Sequence, residues 1–202
     1  MFALVQDGSI TKYISGNRGI TIGDIQYPQN IFTLWSAAEK EAIGIYEVEY
    51  DNTNKKDEAY YINTNVSYGV ESNKAVGSYG TATAKAHADT LLTAQDEIDG
   101  KGTEGDVATR GLKYNLIQTV KQQAAGELQN TDWYVVRKAD AGTAVPSAIT
   151  THRAAVRSKA DEMETSITNA ADTPALETLY TYTKQEDGSV TRPLGELPTL
   201  DS

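Results

Sequence analysis

The chain has 202 residues, enough to bury a core as one domain or as two small ones. Its 28 acidic against 18 basic residues give a net charge of −10, which opposes nonspecific binding to nucleic acid or anionic membrane, and an apolar share of 39% suits an extended or oligomeric protein better than a compact enzyme. The absence of cysteine excludes disulfides and thiolate metal sites, and no apolar run reaches the length of about 18 residues that a membrane-spanning helix needs.

Met1-Phe2-Ala3-Leu4-Val5 is too short and lacks the basic flank of a signal peptide. Phe2–Val5 and Ile10–Ile14 then flank an Asp7-Gly8 pair, the strongest short signal for a β-hairpin. Ile20 and Ile22 alternate as a short strand, and Ile31–Trp35 is the densest apolar cluster of this half. Ser36 is placed to cap a short helix over Ala37–Glu41 that stops at Gly44. Ile45–Tyr50 alternates as a half-exposed strand, with a polar loop over Asp51–Glu58 and a returning strand expected over Ala59–Tyr68. Eight of the twelve tyrosines fall in the first 80 residues, which suits either pleated, half-buried faces or a binding surface.

Gly77–Gly80 reads as a boundary, after which Ala, Thr, Gln, Lys and Glu dominate and predict helices. A weak apolar stripe over Thr83–Ile98 predicts a helix ended by Gly100 and Gly102. Over Arg110–Leu128 the residues Leu112, Leu116, Val120, Ala124 and Leu128 recur every four positions. So thin a stripe needs a partner, either the helix after Pro146 or a copy in another subunit. Asn130, Thr131 and Asp132 suit a helix boundary, Trp133 is expected to plug a gap between elements, and Lys138–Ala144 reads as a bend around Gly142. Pro146 is preset for a first helical turn and opens a helix of roughly 24 residues carrying Ile149, Arg153, Val156, Ala160, Met163 and Ile167. Asp172-Thr173-Pro174 starts a short helix to Tyr180, Asp187-Gly188-Ser189 echoes the opening hairpin, and the last ten residues read as a tail.

The ordered set Thr131-Asp132-Trp133, Pro146, Ile149, His152-Arg153 and Val156-Arg157 resembles the C-terminal module of tailed-phage tail assembly and tail-fibre assembly chaperones. In this chain Ile149 stands where that family has Trp, His152 where it has Tyr, and Ser158-Lys159 where an acidic residue follows the last Arg. The resemblance covers the segment 128–157, and the first hundred residues are only loosely similar to phage tail-fibre-associated proteins. It implies binding to a tail or tail-fibre protein without chemistry; the weak stripes and the two terminal hairpins, which suggest ordering by neighbours, favour a component of the virion tail, assembled in the host cytoplasm.

Chemistry-bearing patterns are sparse. His87 and His152 are the only histidines and neither has a spaced ligand partner. Gly100, Gly102 and Gly105 lack the Lys-Ser/Thr of a phosphate loop. Asp96–Gly100 does not place oxygen ligands as a calcium loop requires, and Asp161, Glu162 and Glu164 read as a solvated acidic face. The expectation is therefore an α+β protein with a β-rich domain over 1–80, a helical domain over 81–180 and a C-terminal hairpin and tail over 181–202. It has no catalytic, metal or cofactor site and acts as a homo- or hetero-oligomer without nucleic acid or membrane. Trp133, Tyr134, Arg137, Arg153 and Arg157 are the expected partner-binding residues, because Trp and Arg most often carry interface energy. The alternatives are a chaperone absent from the finished particle and a carbohydrate-binding module using the tyrosine face.

Overall fold

A computed structural model describes residues 1–72 and 74–200. The protein is α+β and divides into two compact units, Met1–Thr83 and Ala84–Ser202.

In the first unit β1 (Phe2–Gln6) and β2 (Ser9–Ile14) form the expected hairpin, with Asp7 and Gly8 both at positive φ, 49° and 75°, in its two-residue turn. A second small hairpin, β3 (Ile20–Ile22) with β4 (Ile25–Tyr27), leads into α1 (Ile31–Leu34) and α2 (Ala37–Glu41). The Ser36 hydroxyl accepts from the Glu39 N–H while the Glu39 carboxylate accepts from the Ser36 N–H, so α2 carries a complete capping box. The remaining strands are β5 (Ile45–Asp51), β6 (Tyr61–Ile62), β7 (Val66–Glu71), β8 (Lys74–Tyr79) and β9 (Thr83–Ala84). Five of them make one sheet in the order β2-β1-β5-β8-β7.

One expectation fails here, for a local reason. β5 does not pair with a strand over Ala59–Tyr68; its neighbours are β1, antiparallel, and β8, parallel. In the intervening chain, side chains take up backbone groups that a ladder would use: Asn63 both accepts from the Lys56 N–H and donates to the Lys56 carbonyl, and Asp57 accepts from the Ala59 N–H. The boundary placed at Gly77–Gly80 falls partly inside β8. Gly77 is there because the Tyr68 ring lies across it, and a Cβ would sit 2.8 Å from that ring.

The sheet has one face on a core of Leu4, Ile14, Ile20, Ile31, Phe32 and Ile45. The other face carries a smaller cluster of Ala3, Val48 and Ala75. Ala3 pairs with both Tyr13 and Tyr46, and Gly77 with both Tyr50 and Tyr68, so these four tyrosines share that second face. The sheet curls until Tyr13 on one edge strand meets Tyr68 on the other, with ring centroids 5.2 Å apart.

The second unit contains β10 (Thr90–Leu91), α3 (Ala94–Ile98), β11 (Val107–Thr109), α4 (Leu112–Gln129), α5 (Asp132–Ala141), α6 (Ser147–Asn169), α7 (Thr173–Tyr180), β12 (Thr183–Lys184) and β13 (Val190–Thr191). The helix expected over Thr83–Ile98 is only the single turn and a bit of α3, started by a Thr93–Asp96 capping box. Upstream of it the chain is extended, because its backbone serves α4 instead. The carbonyls of Ala86 and His87 accept from the N–H groups of Leu112 and Lys113, and Asp89 accepts from the Gly111 N–H at 2.7 Å and from Arg110 at 2.6 Å. Donors that a helix N-terminus leaves unpaired are thus satisfied by a neighbouring segment. His87 accordingly lies in a bend of this non-helical segment and not on a helix face.

The Gly111 N–H first, and the Arg110 side chain second, hold the Asp89 carboxyl below the usual carboxylate range. A folded-state pKa depressed in this way adds stability that is complete above the unfolded value and is lost as pH falls through the folded one. Protection of the Leu112 and Lys113 amides, measured against the intrinsic exchange rate at each pH, is therefore expected to fall on acidification below the ordinary Asp range. Asp89→Asn should show fast exchange there already at neutral pH; equal protection in both proteins would refute the assignment.

α4 and α6 pack antiparallel, as the cross-links show: Lys113 reaches the Thr168 carbonyl, Lys121 pairs with Glu164, and Arg153 reaches the Leu128 carbonyl. The thin stripe of α4 buries Val120 and Ala124, while α6 buries Ile149, Val156, Ala160, Met163 and Ile167. Of the two partners considered for α4, the helix after Pro146 is the one it meets. α7 begins with the Asp172 carboxylate accepting from the Ala175 N–H, and Pro174 occupies its first turn. The expected tail is anchored at its start: Leu194 is only 2% exposed and donates its N–H to the Leu179 carbonyl, and Arg192 just before it bonds both the Gly195 carbonyl and Glu196, while residues 201 and 202 lie outside the described residues.

Candidate interaction site

Thr131-Asp132-Trp133 opens α5 rather than filling a gap. The ten residues Asp132–Ala141 are helical, closed by Gly142 in the left-handed conformation at φ 69°, and the Gly142 N–H bonds the Lys138 carbonyl. Not one residue of α5 is buried. Trp133, Val135 and Val136 are 51%, 44% and 65% exposed, so the indole is a surface group and the expected plug is absent.

The motif holds this uncovered helix in place from beneath. Arg153 on α6 is 8% exposed, and one of its nitrogens donates to the Thr131 hydroxyl at 2.6 Å and the Leu128 carbonyl at 2.9 Å. Its second terminal nitrogen meets the Asp132 carboxylate at 2.8 Å. Thr131, 2% exposed, donates its own hydroxyl to the same Leu128 carbonyl. One guanidinium therefore ties the last turn of α4 to the first residue of α5, using the fixed fork that lysine lacks. Ile149, His152 and Val156 are buried beside it on α6; His152 packs, and its Nε2 has no hydrogen-bond partner among the described residues.

The module thus separates physically into two sets. Thr131, Asp132, Ile149, His152, Arg153 and Val156 form the scaffold. Trp133, Tyr134, Arg137 and Arg157 lie above it. The Trp133 and Tyr134 rings are tilted together with centroids 3.8 Å apart, and the Arg137 guanidinium sits 4.6 Å from the indole centroid and 5.3 Å from the phenol. That stack stiffens an aromatic group that water would otherwise leave mobile, a condition for binding at low entropic cost. Arg157 is exposed, and its one hydrogen bond among the described residues is a long one, 3.4 Å to the Arg153 carbonyl. The anticipated repulsion between Arg153 and Arg157 is relieved on one side only, by Asp132.

α5 escaped the periodicity argument because it has no core-facing stripe, yet its ends were marked, by Thr131-Asp132 at the start and Gly142 nine residues past Trp133. Among the described residues no group of three or more His, Asp or Glu side chains could hold a metal ion, and no helix is long and apolar enough to cross a membrane. No protein-family model, curated protein or solved structure matches the chain.

Proposed function

We propose that the chain is a structural or adaptor protein of a tailed-phage virion, associated with the tail or tail fibre, and that it works by protein–protein contact through α5. One observation carries the reading: a helix with no buried residue, presenting Trp133 and Val136 three positions apart on one side, is nevertheless locked by a buried arginine. A chain gains nothing within itself by fixing a surface tryptophan so firmly. The resemblance of the segment 128–157 to tail-fibre assembly chaperones supplies the kind of partner, a tail or fibre protein, and keeps the non-virion chaperone as the alternative.

Quantitative mass spectrometry of purified particles tests it. The chain is expected at stoichiometric levels, and Trp133→Ala is expected to remove it from particles while its melting temperature stays within about 2 °C of the parent, since an exposed ring contributes little to folding. Absence from particles together with co-purification of a fibre subunit would favour the chaperone. Unchanged incorporation of Trp133→Ala would sink the role of α5.

A second reading has its own observation. Tyr13, Tyr46, Tyr50 and Tyr68 share one sheet face, with Tyr13 and Tyr50 54% and 48% exposed and the Tyr50 and Tyr68 hydroxyls 3.5 Å apart. Such a face suits a sugar ring, and specific binding on a glycan array that disappears in Tyr50→Ala would favour it.

A further inference from the structure

Between α5, the link 142–146 and α6 lies a cavity of about 310 Å³. Its apolar wall is Val135, Ala144 and Val145, and its charged wall is Lys138, Arg153 and Arg157. Among the described residues no acidic side chain lines it. Arg153 is neutralised by Asp132, but Lys138 and Arg157 have no carboxylate at ion-pair distance among the described residues. In a chain of net charge −10, three cations facing one cavity with no acidic residue among its described lining make a locally positive site.

We infer that this cavity is a recognition pocket for an acidic peptide segment of the partner, one that inserts a carboxylate between Lys138 and Arg157 and lays an aliphatic neighbour on Val135 and Val145. The inference rests on the proposed role of α5 and adds the partner's chemistry to it. Charge decides among occupants. The cations require an anion, and the apolar wall has no use for a bare phosphate chain. The net charge of −10 repels nucleic acid as it does a second copy at long range, while a short acidic segment feels mainly the local cations once salt screens the remainder. Arginine and lysine together suit a carboxylate, since the planar fork orients it and the ammonium adds charge without a fixed angle.

The experiment uses the full chain and two fluorescein-labelled peptides, Gly-Leu-Glu-Glu-Leu-Glu-Glu-Leu-Gly and the same peptide with every Glu replaced by Gln, followed by fluorescence anisotropy at low and high salt. The Glu peptide is expected to bind, to weaken as salt rises, and to lose about fivefold to tenfold in affinity in the double variant Lys138→Gln, Arg157→Gln, as two half-exposed charge contacts imply. Both positions are exposed, so the variant is expected to melt like the parent. Equal binding of the Gln peptide, or of the Glu peptide to the double variant, would overturn the pocket, as would sedimentation showing that the parent self-associates through these residues. Particle incorporation separates the two ideas: a double variant that incorporates normally while Trp133→Ala does not leaves the α5 interface standing and removes the pocket. If neither change affects incorporation, both fall.

Discussion

Arg153→Ala is expected to destabilise the second unit by about 2–4 kcal/mol, because it removes a charged donor from one buried and one part-buried acceptor and leaves the space of a guanidinium behind. The upper end of the range for a broken buried pair is not reached, since Asp132 remains 57% exposed and recovers water when its partner leaves. For a unit of this size the melting temperature should fall by roughly 10 °C. Arg153→Lys should restore little of it, as a single ammonium does not span the Thr131 hydroxyl, the Leu128 carbonyl and the Asp132 carboxylate together. Asp132→Asn, which touches only the exposed arm, should cost under about 1 kcal/mol. Thermal melts followed by circular dichroism, with hydrogen exchange over Asp132–Ala141, check this ordering. An Arg153→Ala protein that melts within about 2 °C of the parent would show that the fork holds nothing.

The ordering bears on how the motif residues divide. Arg153 and Trp133 look alike in the sequence as interface candidates, but one is buried against α4 and the other stands in solvent. A loss of assembly in an Arg153 variant would therefore report a displaced α5, whereas the same loss in a Trp133 variant reports a missing contact. Only the second is evidence about a partner.

What could be read from the residues followed from how local the determining physics was. The Asp7-Gly8 turn, the Ser36 cap, the Asp172 cap and the four-residue rhythm of α4 are settled within a few positions, and all four stand in the structure. The segment 83–93 was misread because Ala and Thr there are compatible with a helix, while the decisive term is distant: the carbonyls of Ala86 and His87 are needed by α4, some twenty-five residues on. The start of the tail was misread for the same reason: Leu194 is buried and its N–H bonds the Leu179 carbonyl, fifteen residues back, which no local pattern announces. At the candidate site the residue types were visible, whereas the split between anchor and surface depends on the α4–α6 register, which places Leu128 opposite Arg153. The parallel pairing of β5 with β8 was hidden by a comparable distance, and by a loop whose Asn63 imitates a strand partner.

Gly111→Ala should be at least as damaging as any core truncation, and for a purely steric reason. Gly111 has φ −83° and ψ 175°, a backbone that every residue adopts readily, so left-handed strain plays no part. The added Cβ would lie 2.3 Å from the carbonyl carbon and oxygen of Ala88, and both are backbone atoms that no rotamer change can move aside. Relief requires the extended segment to withdraw from the start of α4. That withdrawal breaks the bonds from Leu112 and Lys113 to Ala86 and His87, and the bond from Gly111 to Asp89, together. Overpacking of this sort costs about 1–3 kcal/mol by itself, and the uncapped donors bring the expected loss to about 3 kcal/mol or more. Gly126→Ala is the matched control: it lies within α4, its Cβ would meet nothing within 4 Å, and helix propensity predicts a gain of about 0.5–1 kcal/mol. Opposite shifts in melting temperature from the same chemical change, fifteen positions apart, are the expected result. Two variants that shift alike would mean that the segment before β10 does not close the N-terminus of α4.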